Sequence, residues 1–306
     1  VFHEPVLLKE AISLLINDET GIYVDGTLGG GGHAEAILER LQQPGCLIGL
    51  DQDRDALTTA LTRLERFAKQ VVIRPANFVE TPEILKSLKI DKINGLLLDL
   101  GVSSHQINTP ERGFSFSASG QLDMRMNREQ AASAYEIVNS YSEVELSELI
   151  KNLGEERRHR SIARAIVKVR AHKPILSTLD LADTIGAVMP YEHRVKSLAR
   201  VFQALRITVN NELENLRATL TESLNFVKAG GRLVIISYHS LEDRIVKEFF
   251  KKESSHCVCP PELPICVCGQ KGRLKALTKR PIRPTHLEVQ QNPRSRSSRL
   301  RAAEIL

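Results

Sequence analysis

The stretch "VDGTLGGGGHAEAIL", Val24 to Leu38, carries an apolar strand-like segment through a run of glycines into a segment with helical spacing. A second short apolar strand, "GCLIGLDQD", ends in Asp51 and completes the unit. Gly29, Gly31 and Ala34 satisfy the spacing G-x-G-x-x-A, and Asp51 sits where an acidic side chain accepts ribose hydroxyls. No Gly-Lys-Ser/Thr comes after the glycines, which excludes a triphosphate-binding loop.

The same alternation extends outward. "RDALTTALTRLERF" has helical spacing, "QVVIRPANF" reads as a strand, "VETPEILKSL" as a helix and "INGLLLDLG" as a fourth strand. Apolar strands alternating with amphipathic helices predict a parallel α/β sheet with right-handed crossovers. The pattern stops near Gln106. Polar, loop-rich sequence ("TPERGFSFSASGQLDMRMN") gives way to helical segments such as "SEVELSELIKNLG", for which Gly154 is the expected stop, "RSIARAIVKVRAH" and "TLDLADTIGAVM". Sheet-like sequence resumes after about Arg206, with a long amphipathic helix, a glycine turn and the buried strand before "YHSLED". The expected layout is a discontinuous sheet domain, residues 1–105 and 200–306, interrupted by a helical domain, residues 106–199.

A glycine turn and a ribose acid fit either a dinucleotide or S-adenosylmethionine. Three residues at successive strand ends favour the methyl donor. Asp25, just before the glycines, suits a cationic amino-acid moiety and sits poorly beside a pyrophosphate. Phe78, after the third strand, offers a ring for adenine. Asp99 ends the fourth strand at the carboxyl edge, where α/β sheets bind ligands. Each also has an ordinary structural use: Asp25 as a turn cap, Phe78 as core, Asp99 as a helix cap.

The chain has 306 residues, 42% hydrophobic and 26% charged, ordinary values for a globular protein. It has no apolar run long enough for a membrane span, and its charged first residues do not read as a signal peptide, so a cytoplasmic location is expected. The net charge of +5 is modest, but "EERRHRSIARAIVKVRAHK" and the region from Lys271 to Arg301 concentrate it in patterns that suit phosphate backbones. Cys257, Cys259, Cys266 and Cys268 form two Cys-x-Cys pairs, closer than the usual zinc spacing, so metal binding there stays open.

"HEPVLLKEAI", "YVDGTLGGGGHAEAIL", "DLGVSSHQI", "ERGFSF", "LDMRM", "GEERRHRSIARAIV", "FQALRITVNNELE", "GGRLVIISYHSLEDRIVK" and "NPRSRSSRLRAAE" succeed one another along nearly the whole chain. In these motifs it resembles the RsmH/MraW family, S-adenosylmethionine-dependent methyltransferases that modify the exocyclic N4 of a decoding-centre cytidine in small-subunit ribosomal RNA. The resemblance implies an α/β, Rossmann-like class I methyltransferase sheet with an inserted all-helical domain for substrate recognition. It also implies S-adenosyl-L-methionine as cofactor and small-subunit ribosomal RNA as partner, with a homodimer as a further candidate assembly and no metal at the site. Matched position by position, the donor residues fall on Gly31, Gly32, His33, Asp51, Phe78, Asp99 and Gln106. His105 stands where relatives often carry proline, while Gln106 keeps its place.

The Asp/Asn-Pro-Pro-aromatic motif of many amino methyltransferases is missing at the fourth strand's end. Asp99 and its loop, including Ser103, are therefore the expected catalytic residues. His239 in "ISYHSLED" is a second candidate proton acceptor, with a structural histidine as the alternative. Tyr238 is expected to stack on the target base, Arg112 and Phe114 to lie near it, and Arg157 and Arg160, with Arg158, Arg164, Lys168 and Arg170, to meet RNA phosphates. An NAD-dependent oxidoreductase and a non-enzymatic ribosome-binding protein are the competing readings.

Overall fold

The computed structural model describes residues 5–255 and 271–306; the Cys257, Cys259, Cys266 and Cys268 cluster lies outside the described residues. In chain order the first part comprises α1 (Leu8–Leu15), β1 (Ile22–Asp25), α2 (Gly32–Arg40), β2 (Cys46–Asp51), α3 (Arg54–Arg63), β3 (Val71–Pro75), α4 (Thr81–Ser87) and β4 (Ile93–Asp99). Six helices come next: α5 (Ser104–Asn108), α6 (Ala134–Ser140), α7 (Glu143–Gly154), α8 (His159–Arg170), α9 (Thr178–Gly186) and α10 (Tyr191–Asn210). The last part is α11 (Glu212–Phe226), β5 (Val227–Ser237), α12 (Ser240–Glu253), β6 (Leu274–Ala276), α13 (His286–Gln291) and β7 (Arg299–Ile305). No helix among the described residues is long and apolar enough to cross a membrane.

The strands form one sheet in the order β3-β2-β1-β4-β5-β7-β6. β1 to β5 are parallel, and β7 runs antiparallel to both β5 and β6. This is the Rossmann-like sheet that the resemblance implies. Side-chain alternation divides its core between two faces: Tyr23 and Leu97 join one buried cluster, Val24, Leu96 and Leu98 the other. Strand order reverses between β1 and β4, which places the ligand-binding crevice at their carboxyl ends.

The chain divides into two compact units. The sheet unit runs to Gly101 and resumes at Leu213; the helical unit is Val102–Glu212. These borders correct the expected ones at 106 and 199. A break at 199 would cut α10, whose later residues Val201, Phe202, Ala204, Leu205 and Val209 all belong to the helical core. α10 instead stops where Asn211 turns left-handed (φ 51°), so the single long helix expected across "VNNELENL" is two, and the sheet resumes only at Val227. α7 ends at Gly154, as expected, but glycine serves packing there rather than the left-handed cap. The left-handed residue after α7 is Glu155, while a Cβ on Gly154 would lie 2.7 Å from the Arg200 carbonyl oxygen, so glycine lets α7 pack closely on α10.

Candidate active site

The carboxyl ends of β1, β2 and β4 carry Asp25, Asp51 and Asp99. Thr27 holds two of them in place. Its N–H donates to Asp25 Oδ1 at 3.1 Å, and its hydroxyl oxygen accepts the Asp99 N–H at 2.6 Å. Asp25 is 1% exposed, and its Oδ2 has no hydrogen-bond partner among the described residues. Burial drives its pKa up to about 7, against the pull of His33 and the Thr27 N–H and with a further push from Asp99 and Asp51. Asp51 accepts the N–H of Gly29 at 2.8 Å and of Asp53 at 2.9 Å, and burial raises its pKa to about 6.

α2 begins at this edge without a side-chain cap; Gly31 occupies the N-cap in the left-handed region (φ 81°). The first N–H groups of a helix have no intrahelical acceptor and attract anions. A Cβ on Gly32 would come within 3.1 Å of Pro5 and 3.2 Å of the Arg63 guanidinium, and one on Gly26 within 2.8 Å of the Phe78 Cβ. Glycine at 26 thereby lets half-buried Phe78 approach the ends of β1 and β4. His33, buried in the first turn, points Nε2 at the Val6 carbonyl oxygen (3.0 Å), so that nitrogen carries the proton. Burial lowers the pKa of this imidazole, and its Nδ1 stands 3.7 Å from Asp99 Oδ2, too far for a hydrogen bond.

Beyond β5, the Tyr238 hydroxyl donates to Asp99 Oδ1 at 2.8 Å, and its ring packs on the sheet core. Burial and the neighbouring carboxylate push this phenol well above its ordinary pKa, so it remains a donor. The Tyr238 hydroxyl thereby orients Asp99, a contact beyond the stacking role expected for the residue. His239 has the structural use that stood as the alternative to a proton acceptor. It N-caps α12, with Nδ1 3.5 Å from the Glu242 N–H and Nε2 3.1 Å from Glu242 Oε1, while buried Glu242 accepts the Tyr238 N–H at 2.8 Å. Glu242 in turn accepts the His239 backbone N–H at 3.3 Å, which completes a capping box.

In the helical unit, Ser103 and Gln106 form a capping box on α5: the Ser103 hydroxyl accepts the Gln106 N–H at 3.2 Å, and Gln106 Oε1 accepts the Ser103 N–H at 2.9 Å. Arg112 departs from its expected place near RNA. It is 1% exposed and donates to the Arg125 and Met126 carbonyls, both at 3.1 Å, which makes it an internal tie between loops. Phe114 is half-buried against the helical core, and Phe116 meets Phe202 edge-on with centroids 5.3 Å apart. α8 buries Ile162, Ala163 and Ile166 and leaves Arg160, Arg164 and Lys168 exposed, with Arg157 and Arg158 exposed just before it. Arg170 departs from this set, because it donates to the Val138 and Tyr141 carbonyls at the end of α6.

A family model described as the MraW methylase family matches residues 1–306. The chain belongs to the MraW methylase family. Similar curated proteins carry the name ribosomal RNA small subunit methyltransferase H. The one from Syntrophus aciditrophicus is 50% identical over 306 residues, covering 99% of this chain and 97% of the relative. The one from Caldicellulosiruptor saccharolyticus is 48% identical over 303 residues, covering 99% and 98%. The one from Geobacter sulfurreducens is 49% identical over 307 residues, covering 99% of each. This MraW-family protein is therefore a methyltransferase, and the oxidoreductase and non-enzymatic readings fall away.

The residues of the methylase fit S-adenosylmethionine. Its ammonium and sulfonium are cations, and the unpartnered Asp25 Oδ2, neutral His33 Nδ1 and the Asp99 carboxylate are acceptors gathered at one sheet edge. The uncapped start of α2 suits its carboxylate, Asp51 its ribose hydroxyls, and Phe78 its adenine. Sequence reasoning missed Gly26, Thr27 and the positioning role of Tyr238. The signal for the first two lay inside the opening stretch: in "VDGT" a small residue and a hydroxyl come directly after the first aspartate.

Proposed function

We propose that this protein transfers the methyl group of S-adenosylmethionine to the exocyclic N4 of a cytidine in the decoding region of small-subunit ribosomal RNA, in the cytoplasm. The observation that carries the reading is the cluster of Asp25, Asp51 and Asp99 at neighbouring strand ends around an uncapped helix start, in a chain whose relatives are named for this RNA. When bound, the donor supplies an electrophilic methyl carbon on a positively charged sulfur. The protein supplies position and charge.

The cytosine amine is a weak nucleophile because its lone pair is delocalised into the ring. A carboxylate accepting one amine N–H concentrates that pair and takes the proton once the new C–N bond forms. Asp99 takes this role in our reading, and two contacts support it. Its Oδ1 is fixed by the Tyr238 hydroxyl and its main-chain N–H by Thr27, so its orientation is set before substrate arrives. In the helical unit, exposed Arg157 and Arg160 hold RNA phosphates, and Phe114 lies close to the path of the strand.

The test is to incubate the protein with undermethylated small subunits and labelled donor, then map the modified nucleotide. N4-methylcytidine in the decoding region is expected. Label on another base, or on protein, overturns the acceptor. Charge reversal at Arg157 and Arg160 should weaken binding of the subunit while leaving donor affinity intact; unchanged subunit affinity removes those arginines from the interface.

A further inference from the structure

The end of the sheet unit carries a basic run that the donor site does not use. Between Lys271 and Arg301 the single acidic residue is Glu288, and its carboxylate accepts the Leu7 N–H at 2.7 Å. Two groups stand apart among the cations here. Arg273 pairs with Glu253, and Arg299 and Arg301 both pair with Asp243. Lys275, Lys279, Arg280, Arg283 and Arg296 are exposed and have no acidic partner among the described residues.

The segment holding Lys279, Arg280 and Arg283 is fixed to the sheet. The Leu277 N–H donates to the Ala302 carbonyl at 2.9 Å, the Ala302 N–H donates to the Thr278 hydroxyl at 3.0 Å, and Ile282 and Leu300 exchange two backbone bonds of 2.9 Å. Pro281 and Pro284 restrict the backbone between these anchors. From Ala276 to Ile282 the chain is three residues longer than the Leu300–Ala303 stretch beside it, so Lys279 and Arg280 sit on an outward loop at the sheet's edge.

Register sets the height of this loop. Asp99 aligns with Ile236, Ile236 with Leu300 and Leu300 with Ile282. Arg280 and Arg283 thus flank a residue level with Asp99 and about 14 Å along the sheet from it, at the usual spacing between strands. At about 3.4 Å per stacked nucleotide, and more when a strand is splayed, that is roughly two to four nucleotides.

We propose that Lys279, Arg280 and Arg283 form a phosphate clamp on the sheet unit itself, gripping the RNA backbone about two to four nucleotides from the methylated base. The assignment rests on the reading of the substrate as RNA. Phosphate is the ligand because the three cations lie within five residues, have no internal counter-charge, and are held level with the reacting edge. Guanidinium forks suit phosphate oxygens, and a rigid mount reduces the entropy lost on binding.

The test uses the full chain with Lys279→Ala, Arg280→Ala and Arg283→Ala combined, and undermethylated small subunits as probe. Removing three single-strand phosphate contacts should make the slope of log K against log salt shallower by about 2. KM for the subunit should rise at least tenfold, with kcat and donor affinity unchanged. An oligonucleotide trimmed to the target cytidine and one neighbour on each side should show the same KM for both proteins. An unchanged salt slope, or an equal loss on the trimmed oligonucleotide, overturns the clamp. So does a variant whose single defect is aggregation, since exposed charge also protects a sheet edge. If wild-type protein binds subunits but methylates nothing, the functional reading fails, and the salt slope still tests the clamp by itself.

Discussion

Asp25 shows how the site trades stability for binding. Its folded pKa, about 7 against an ordinary 3.8, means that the folded chain holds this proton more tightly than the unfolded chain. The resulting stabilisation is complete below about pH 4 and is lost as pH rises through 7. At pH 8 the buried carboxylate is a charge with one unsatisfied oxygen. Asp25→Asn should therefore raise stability at pH 8 by about 1–3 kcal/mol, read by urea titration, and the gain should vanish near pH 4. The same substitution should cost tenfold or more in donor affinity, because a charged acceptor facing a cation is worth about 1.5–3 kcal/mol. In the wild type a bound cation favours ionised Asp25. Donor binding should then release protons near pH 7 and weaken as pH falls below it, which calorimetry in buffers of different ionisation enthalpy will detect. Tyr238→Phe keeps the ring packing and removes the hydroxyl from Asp99. It should lower kcat about tenfold, with little change in donor Kd.

Elements were far more legible in the sequence than the contacts that finish them. Each strand expected from "GIYVDGT", "GCLIGLDQD", "QVVIRPANF" and "INGLLLDLG" is present, ending at or close to the expected acidic or turn residue. Apolar periodicity is a property of the local chain, so it is visible there. The helices from "SEVELSELIKNLG" and "RSIARAIVKVRAH" were equally clear. A charged residue's partner is a long-range fact and has no such local mark. Arg160 and Arg170 share one basic helix; Arg160 is exposed, whereas Arg170 donates to two carbonyls at the end of α6. Arg170→Ala should cost about 1–2 kcal/mol of stability, and Arg160→Ala less than about 0.5. RNA affinity should show the opposite order for the α8 pair. Arg112, expected near the target base, shows the same limit: nothing beside it in sequence announces the two carbonyls it ties. His239 likewise has a use that its sequence neighbours do not announce, the cap of α12.

At the scale of the whole molecule, the two units keep separate cores. The buried cluster from Leu122 to Val209 lies wholly in the helical unit, and the two clusters flanking the sheet lie wholly in the sheet unit. Of the residues read as donor contacts, Gly31, Gly32, His33, Asp51, Phe78 and Asp99 belong to the sheet unit and Gln106 alone to the helical one. Gln106 already spends its carbonyl oxygen on the cap of α5. A ligand that binds a folded unit and not its unfolded chain stabilises that unit, by about 2.7 kcal/mol at a hundred times its Kd. Scanning calorimetry should therefore resolve two transitions, and S-adenosylmethionine at that concentration should raise the one belonging to the sheet unit. Fragment-specific hydrogen exchange at a fixed temperature assigns them: protection should increase in β1, β2, β4 and α2 and stay level in α7, α8 and α10. Equal added protection in the helical core would overturn the assignment of donor binding to the sheet unit alone.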